Sequence, residues 1–348
     1  MCSYHIRETL SPATAVAYWP EVPWCDMIAA GVVGKAKSME TLTITPLSGS
    51  IGAQIEGADL RRDIPPAIAQ QIREAFATHF VLVFRSEHTA TAEEQHRLAA
   101  LFGEPQPLAL FQFLGARQAS ITFNPGSRIA ASNAASAPKP TTSVPSEELR
   151  NLGIAGDFDG WHSDSTFTPW LPRAAVLRAE IIPPVGGDTG FASLCAAYDA
   201  LSPMMKDWLA ETSAVHTVPD GFKAGINLAE YGPDAEARFD AEYPPREWPL
   251  VIAHPETGRK ALFVNPGYIV HIRGLKRPES HALIRFLCHH VASLNFVYRH
   301  HWHAGDLVLW DELTALHRAP DDFAPHDRKV VRVTAGRVVP TAPKRSFA

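Results

Sequence analysis

The chain has 348 residues, of which 46% are hydrophobic and 20% are charged, a balance typical of a globular protein and not of a disordered or coiled-coil one. At roughly 150 residues per domain this length corresponds to about two domains, although one large β-domain can also reach it. The formal net charge of −5 argues against a nucleic-acid partner, and no apolar run approaches the roughly 18 residues of a membrane span. We therefore expect neither nucleic acid nor a membrane as a partner.

The cysteines indicate a reducing compartment. Cys2, Cys25, Cys195 and Cys288 lie far apart and form no C-x-x-C pair. This spacing indicates neither a zinc knuckle nor a disulfide framework. The N-terminus also lacks the basic start and the apolar segment of a signal peptide. We therefore expect a cytoplasmic protein.

Residues 1–38 differ in pattern from the rest of the chain, because regular alternation of apolar and polar residues begins only at Leu42. We interpret 1–38 as an N-terminal extension that is either not native or poorly ordered, and Met39 as a candidate start. Residues 39–348 are then expected to form one domain.

The first predicted elements of this domain are two strands, at 41–44 and 51–55, and a helix capped by Asp63. One face of the helix is apolar because its large apolar residues recur every four positions. These residues are Ile68, Ile72 and Phe76.

A strongly apolar run at 79–84 (HFVLVF) has the length of a buried strand. After it, Thr91 and Glu94 are spaced as a capping box, which predicts a second helix that ends at Gly103. A short strand is predicted at 121–123.

The next segment has the composition of a loop. Residues 125–148 are rich in Ala, Ser, Pro and Thr and have almost no large apolar residue. A long structureless segment inside a domain is commonly a lid over a site. We therefore predict a lid loop at about 125–150.

The remainder of the chain consists of short apolar or β-branched runs separated by turn signals. Two predicted helices interrupt it, one capped by Ser202 and one beginning at Pro278. Because helices do not alternate regularly with strands, a mainly β antiparallel sandwich or barrel is favoured over a doubly wound parallel sheet. The predicted strands lie at 174–182, 189–192, 214–218, 250–253, 261–264, 296–300, 306–310 and 329–339.

A candidate metal site begins at His162 and Asp164. Residues two apart on an extended chain project to the same side, so one imidazole and one carboxylate could share an ion. His317 could add a second imidazole from a distant strand. Two histidines and one carboxylate on one face of Fe(II) leave three positions open for other ligands.

Arg328 and Arg332 form the second candidate feature. With Val330 they occupy alternate positions of a predicted strand, so both guanidinium groups are expected on one face. Buried arginines need an anionic partner, and an anionic ligand would meet that need. The alternative is that nearby carboxylates neutralise both arginines at the surface. The candidates for that role are Asp321, Asp322 and Asp327.

A cluster of Arg299, His300, His301 and His303 suggests a second metal site, but only Asp306 stands near it as a carboxylate. Strand geometry would place His301 and His303 together and His300 apart. We interpret the cluster as a solvated strand end.

Four further residues adjoin the candidate site. Trp161 and Trp310 are expected to pack in the core. Asp311 and Asp188 are candidates for orienting a ligand imidazole, although turn formation explains Asp188 equally well.

Five segments together resemble one known family. They are WHSDSTF, GGDTGFAS, ALFVNPGY, LWDELTALHRAPDDF and RKVVR, and their order and spacing are similar to those of the taurine dioxygenase/2,4-dichlorophenoxyacetate dioxygenase (TauD/TfdA) family of Fe(II)- and 2-oxoglutarate-dependent oxygenases. The resemblance covers the chain from about Met39 to Val339. It implies a double-stranded β-helix, or jelly roll, with helices packed outside it.

The resemblance also implies roles for residues at the matching positions. His162, Asp164 and His317 would ligate iron. Arg328 would bind the distal carboxylate of 2-oxoglutarate, and Thr189 would hydrogen-bond a carboxylate of the same molecule. O2 would be the second co-substrate.

Three residues are expected to contact the primary substrate. Arg332 would bind its acidic group or help to hold 2-oxoglutarate, and Tyr268 would line the cavity. Phe158 stands where taurine-specific members carry a polar amide, so we expect an acid larger or more hydrophobic than taurine. Asn265 is expected only to shape the turn before Tyr268.

The predicted function is therefore hydroxylation of a small anionic organic substrate, of the sulfonate, alkyl sulfate or aryloxyalkanoate type, with succinate and CO2 as co-products. One alternative is a hydroxylase of an amino acid or a biosynthetic intermediate with the same iron chemistry. Another is a noncatalytic jelly-roll protein that binds a metal or a small acid. Relatives are often multimeric, so a homo-oligomer also remains open.

Overall fold

The computed structural model describes residues 41–85, 88–115, 121–123, 160–219, 223, 228–320 and 322–344. The expected N-terminal extension, the lid loop and Phe158 lie outside these residues. The described part is mainly β with flanking helices, as the sequence predicts.

The strands and helices are numbered in chain order. The strands are β1 (Thr43–Pro46), β2 (Ala53–Glu56), β3 (Val81–Phe84), β4 (Pro105–Gln106), β5 (Ile121–Phe123), β6 (Ala174–Ile181), β7 (Thr189–Ser193), β8 (Ser213–His216), β9 (Arg246–Pro249), β10 (Val251–Ala253), β11 (Lys260–Leu262), β12 (Ile269–Ile272), β13 (Val297–His300), β14 (Leu307–Trp310), β15 (Ala315–Arg318) and β16 (Lys329–Ala335). The helices are α1 (Pro66–His79), α2 (Ala92–Ala99), α3 (Ala109–Phe113), α4 (Leu194–Asp199), α5 (Pro203–Ala210), α6 (Ala235–Glu242) and α7 (Arg277–Val291).

Helix α1 begins later than the sequence predicts. Its N-cap is Pro65 and not Asp63, and no side chain caps it. Pro66 occupies the first helical position, where a residue without an N–H loses no helical bond and already has the required φ. This explains why the helix starts there.

The other helix starts follow local capping rules. Thr91 and Glu94 form the predicted capping box of α2, with bonds of 3.2 and 2.7 Å. Ser202 caps α5 through a 3.3 Å bond from the backbone N–H of Met205. Helix α7 begins one residue before the predicted Pro278, after Lys276 as N-cap.

A large sheet forms the centre of the fold. Its order is β1-β2-β3-β14-β6-β16-β4, and β5 also pairs with β16. The pairing of β2 with β3 is parallel, and β14 and β16 each pair with β6 in the antiparallel sense. The predicted antiparallel character therefore holds for the strands that flank the site.

Three smaller sheets accompany it, in the orders β13-β7-β15, β12-β8-β9 and β10-β11. Strands β9 and β12 were not predicted, because REWP and IVHI are short and show weak alternation. The β13-β7-β15 sheet carries His317 on its edge strand β15.

The large sheet separates two apolar clusters because successive side chains of a strand point to opposite faces. On β16, Val330 belongs to the cluster that contains Phe191 and Trp310. Val333 belongs to the cluster that contains Ile72 and Phe76 of α1. The face of β16 that carries Val330 therefore points toward the β13-β7-β15 side.

The helices of the described residues are all too short or too polar to cross a bilayer.

Candidate active site

Three side chains from two distant parts of the chain meet at one point. The Nε2 atom of His162 lies 3.8 Å from Oδ1 of Asp164, and Nε2 of His317 lies 3.8 Å from Oδ2 of the same carboxylate. The ligand atoms of the three residues all lie within 4.8 Å of one another, and in the described part of the chain no other such group of His, Cys, Asp or Glu is found.

Backbone pairing holds the two histidines side by side. His162 and His317 form an isolated antiparallel bridge with N···O distances of 3.0 and 2.7 Å. His317 also pairs with Phe191 of β7, so its position is fixed by backbone pairing on both sides. The two imidazole centroids are consequently 4.3 Å apart.

The hydrogen bonding of His162 leaves the correct nitrogen available for a metal. Its Nδ1 lies 2.7 Å from the carbonyl oxygen of Gly160. Because a carbonyl can only accept, Nδ1 donates this bond, and Nε2, which faces Asp164, is the nitrogen that could bind a metal.

Burial keeps His317 in the neutral form that a metal requires. Burial, then the nearby charges of His162 and Arg332, hold the pKa of His317 well below its usual range. A second buried carboxyl group, that of Glu312, contacts the Asp164 backbone. It accepts a 2.9 Å hydrogen bond from the Asp164 N–H. Burial and then the Asp164 charge raise the pKa of Glu312.

Arg332 already places a positive charge against two of these residues. Its guanidinium bonds to Oδ2 of Asp164 and lies 3.1 Å from Nε2 of His317. The same guanidinium lies over the Trp310 ring, 5.0 Å from its centroid. A carboxylate and a neutral imidazole that both face a cation are a donor set suited to a metal ion.

Arg328 is buried beside Thr189 without an ion-pair partner in the described part of the chain. It donates from Nε to the carbonyl of Gly187 at 2.8 Å and from Nη2 to Thr189 Oγ1 at 3.3 Å. Burial, then repulsion from Arg332, lowers the pKa of Arg328 to about 10. A buried cation of this kind needs an anion.

The alternative interpretation required a carboxylate such as Asp322 to form an ion pair with Arg328. Asp322 binds other groups instead. Its carboxylate accepts from the Gly187 backbone N–H at 2.8 Å and from Arg299 at 3.0 Å. Asp321, the second candidate, lies outside the described residues.

Glycines in the GGDTG segment allow close packing around Arg328. Gly187 has φ +70°, and a Cβ there would stand 2.7 Å from Pro183 Cγ and 3.0 Å from Arg328 Cδ. A Cβ at Gly190 would stand 2.9 Å from the ring of Trp161. Both Trp161 and Trp310 are buried, as expected.

Asn265 does more than shape a turn. Its Oδ1 accepts from the Gly267 N–H at 3.2 Å, as a turn residue would. Its Nδ2 also donates to the Ser163 carbonyl at 2.7 Å and to Thr166 Oγ1 at 2.9 Å. Asn265 thus binds the loop that carries His162 and Asp164, a link that sequence spacing does not reveal.

Tyr268 lies among apolar and aromatic side chains near Asp164. Its ring centroid is 5.2 Å from that of Phe167. Burial and then the Asp164 charge raise the pKa of its hydroxyl. The apolar cluster around it also contains Leu110, Val218, Leu228, Phe239 and Tyr243.

The histidine-rich segment is not simply a solvated strand end. His301 is exposed and bonds Asp188 at 2.9 Å, as does Arg299 at 2.5 Å. His300, in contrast, is fully buried, 3.2 Å from Asp306. The solvated interpretation is therefore wrong for His300, because β13 pairs with β7 and turns this side chain inward.

Neither candidate orienting carboxylate contacts a ligand imidazole. Asp188 binds Arg299 and His301. Asp311 is fully buried and bonds Arg173 at 2.7 Å and His254 at 3.0 Å. Asp311 therefore stabilises a buried ion pair next to the site instead of a ligand.

Comparisons with known proteins point to one family. The model of the "Taurine catabolism dioxygenase TauD, TfdA family" matches residues 43–334. The alpha-ketoglutarate-dependent 2,4-dichlorophenoxyacetate dioxygenase of Cupriavidus pinatubonensis is 33% identical over 280 residues, which is 80% of this chain and 92% of that protein. The alpha-ketoglutarate-dependent sulfate ester dioxygenase of Pseudomonas putida is 29% identical over 303 residues, 86% of this chain and 91% of that protein.

Solved structures of dioxygenases are similar to this chain as well. The crystal structure of a taurine dioxygenase from Burkholderia xenovorans superposes with a TM-score of 0.66 at 29% identity, over 87% of this chain and 91% of that one. AAD-2 in complex with Mn(II) and N-oxalylglycine gives a TM-score of 0.63 at 27% identity, over 88% and 100%. From the family match and these relatives, we conclude that the chain belongs to the TauD/TfdA dioxygenase family.

Proposed function

We propose that this protein is an Fe(II)- and 2-oxoglutarate-dependent dioxygenase that hydroxylates a small organic anion. The observation that carries the proposal is the meeting of His162, Asp164 and His317 beside a buried Arg328 that has no carboxylate partner in the described part of the chain. One feature can hold a metal ion, and the other can hold an acid.

The residues present fit both groups. His162, Asp164 and His317 would hold Fe(II) through two imidazoles and a carboxylate, and Arg328 and Thr189 would hold the distal carboxylate of 2-oxoglutarate. Iron with 2-oxoglutarate supplies O2 activation, with succinate and CO2 as co-products. AAD-2, a similar structure, was solved with Mn(II) and N-oxalylglycine, a molecule shaped like 2-oxoglutarate, which supports this assignment.

Arg332 would serve the primary substrate. Its guanidinium is buried between the ligand set and Trp310, so an acidic substrate that binds it is brought next to the iron. Arg332 would then release Asp164 to the metal and pair with the substrate anion instead. A planar guanidinium suits a carboxylate, sulfate or sulfonate because it offers two parallel N–H donors.

Apolar side chains would receive the rest of the substrate. Tyr268 is buried near Asp164 and packs against the buried Phe167, and the two rings would exclude water from the reacting carbon. The family resemblance predicts that Phe158, which lies outside the described residues, also contacts the substrate. An apolar wall with one cation favours acids with an apolar body, such as aryloxyalkanoates, alkyl sulfates and larger sulfonates. The relatives named above act on 2,4-dichlorophenoxyacetate and on sulfate esters, which fit the first two of these classes.

We also propose that the sheets form the jelly roll of this family, with the β13-β7-β15 sheet facing the large sheet across the cluster that contains Phe191 and Trp310. The buried free thiols of Cys195 and Cys288 support a cytoplasmic location.

The test is product formation by the Fe(II)-loaded protein. It is incubated with 2-oxoglutarate, O2 and, separately, aryloxyalkanoates, alkyl sulfates, sulfonates and amino acids, and succinate is measured with released phenol, sulfate or sulfite. We expect at least one organic anion to raise succinate formation and Asp164→Ala to abolish it. The exposed Asp199→Ala is the control and should retain activity.

Stimulation by an amino acid alone would replace the proposed substrate class. No 2-oxoglutarate turnover with any iron-loaded sample would refute the dioxygenase assignment.

A further inference from the structure

We propose that Trp302 is a positioning residue for 2-oxoglutarate, because it fixes the direction in which the Thr189 hydroxyl donates its proton. This inference rests on the proposed function, in which Thr189 bonds the co-substrate. It also assigns a role to the histidine-rich segment that forms no metal site.

Two side chains donate hydrogen bonds to the hydroxyl oxygen of Thr189. The indole Nε1 of Trp302 lies 3.0 Å from Thr189 Oγ1, and Nη2 of Arg328 lies 3.3 Å from the same oxygen. An indole N–H and a guanidinium can only donate, so Thr189 accepts both bonds. All three side chains are buried, so water does not compete freely for these bonds.

A hydroxyl group has two acceptor lone pairs and one proton. With both lone pairs of Thr189 taken, its O–H must point in the one remaining direction. Among the described residues no acceptor receives that proton. A carboxylate held by Arg328 would be an acceptor in the right place, because Arg328 already bonds the same oxygen.

The surroundings of Trp302 hold its indole in this orientation. The ring of His300 packs edge-on against it, with centroids 4.5 Å apart and planes at 87°. His300 in turn lies between the Tyr298 hydroxyl, 3.0 Å from Nδ1, and the Asp306 carboxylate, 3.2 Å from Nε2. His300 is also paired in register with Thr189 across β13 and β7.

Asp306 anchors this support. Its carboxylate, fully buried, accepts from Arg85 at 2.5 Å and from the His303 backbone N–H at 2.9 Å. The side chains of the segment from Tyr298 to Asp306 therefore support the Trp302 indole, whose N–H points to Thr189. The exposed His301 lies outside this chain of contacts.

Trp302→Phe removes the N–H and keeps most of the ring, so it frees the Thr189 hydroxyl to rotate. We expect the dissociation constant for 2-oxoglutarate to rise about threefold to tenfold, the range for one hydrogen bond, while the affinity for Fe(II) stays within about twofold. In steady state the KM for 2-oxoglutarate should rise more than kcat falls.

The experiment is an anaerobic titration of the Fe(II)-loaded protein with 2-oxoglutarate, followed by the charge-transfer absorption, on a double-mutant cycle. The variants are Trp302→Phe, Thr189→Val and the double variant, with Trp208→Phe, a partly exposed tryptophan on α5, as control. Thr189→Val alone should weaken binding. The double variant should bind no more weakly than Thr189→Val, because Trp302 acts through that hydroxyl.

A further pair checks the mechanism by rescue. Thr189→Ser keeps the hydroxyl, so adding Trp302→Phe to it should again weaken binding threefold to tenfold. Thermal unfolding of each variant identifies losses that arise only from a less stable fold.

The co-substrate site and the positioning role of Trp302 are tested separately by these variants. If Thr189→Val leaves 2-oxoglutarate affinity unchanged, the proposed co-substrate site is wrong. If Thr189→Val weakens binding but Trp302→Phe does not, or if the two effects simply add, the positioning role of Trp302 is wrong and the co-substrate site stands.

Discussion

At the scale of single residues, the candidate metal site depends on side chains that bond the backbone around the ligands. Asn265 reaches the Ser163 carbonyl, between His162 and Asp164, and Thr166 beyond them. These bonds fix the path of the loop and so the direction of both ligands. Residues that orient metal ligands commonly matter nearly as much as the ligands themselves.

Asn265→Ala should therefore weaken metal binding without removing a ligand. We expect the affinity for Fe(II), or for Co(II) as a spectroscopic substitute, to fall about tenfold, within the range for such supporting residues. The measurement is an anaerobic metal titration. Ser280→Ala, which removes a buried hydroxyl that accepts a 2.8 Å bond from Ile272, is the control.

If Ser280→Ala weakens metal binding as much as Asn265→Ala does, the effect is a general loss of stability and the role given to Asn265 is wrong.

At the scale of elements, the site is built where β15, β7 and the start of β16 come together. The turn before β7 must pass Arg328 closely, and Gly187 permits this with φ +70° and no side chain. Arg328 in turn bonds the Gly187 carbonyl. The conformation of this turn and the position of the guanidinium are therefore coupled.

Gly187→Ala should weaken 2-oxoglutarate binding, because its Cβ would displace Pro183 or Arg328. Gly258→Ala is a matched control, since Gly258 has φ +68° but nothing within 4 Å of the added Cβ. Both should lose about 1 kcal/mol of stability from the left-handed backbone. Only Gly187→Ala should raise the 2-oxoglutarate dissociation constant, by about tenfold if one charge-assisted bond of Arg328 is lost.

Equal 2-oxoglutarate affinity in the two glycine variants would show that Arg328 is not coupled to this turn.

Patterns with a strong local cause were predictable from the sequence. The capping box at Thr91 and the buried strand β3 follow from local residue types. Alternation also predicted that Arg328 and Arg332 share a strand face, but β16 begins at Lys329, one residue after Arg328. The start of α1 was wrong because Asp63 looks like a cap while Pro66 fixes the first turn. Capping preference alone did not decide between them.

Contacts between distant segments were not predictable in the same way. Trp302 reaches Thr189 and Asn265 reaches Ser163 only because strand pairing and chain folding bring them together. The burial of His300 depends on β13 lying next to β7. Nothing in the spacing of these residues along the chain encodes those distances.

At the scale of the whole molecule, several buried polar side chains form hydrogen bonds or ion pairs in the core around the site. Asp311 pairs with Arg173 and His254 between the large sheet and the turn after β10. His216 on β8 lies 3.0 Å from Thr166, stacks on Phe263 and is fully buried. Burial lowers the pKa of His216 to about 3.

His216 should make the folded state sensitive to acid. The unfolded chain protonates this imidazole below about pH 6.5, whereas the folded protein does so only near pH 3, so stability is full above pH 6.5 and falls as the pH drops toward 3. Between pH 8 and pH 5 this group should cost about 2 kcal/mol of unfolding free energy.

Denaturant unfolding at several pH values measures this loss. His216→Phe should reduce the loss between pH 8 and pH 5 by about 2 kcal/mol. If His216→Phe has the same pH dependence as the parent protein, the pKa of His216 is not lowered in the folded state.

The central claim is that His162, Asp164 and His317 bind one Fe(II) while Arg328 binds 2-oxoglutarate. Its most direct test is the anaerobic visible absorption of the Fe(II)-loaded protein during addition of 2-oxoglutarate. We predict a charge-transfer band in the parent protein, its loss in His162→Ala, and its retention in Arg328→Ala with about ten- to a hundredfold weaker 2-oxoglutarate affinity. A band of unchanged intensity and affinity in His162→Ala would contradict the account.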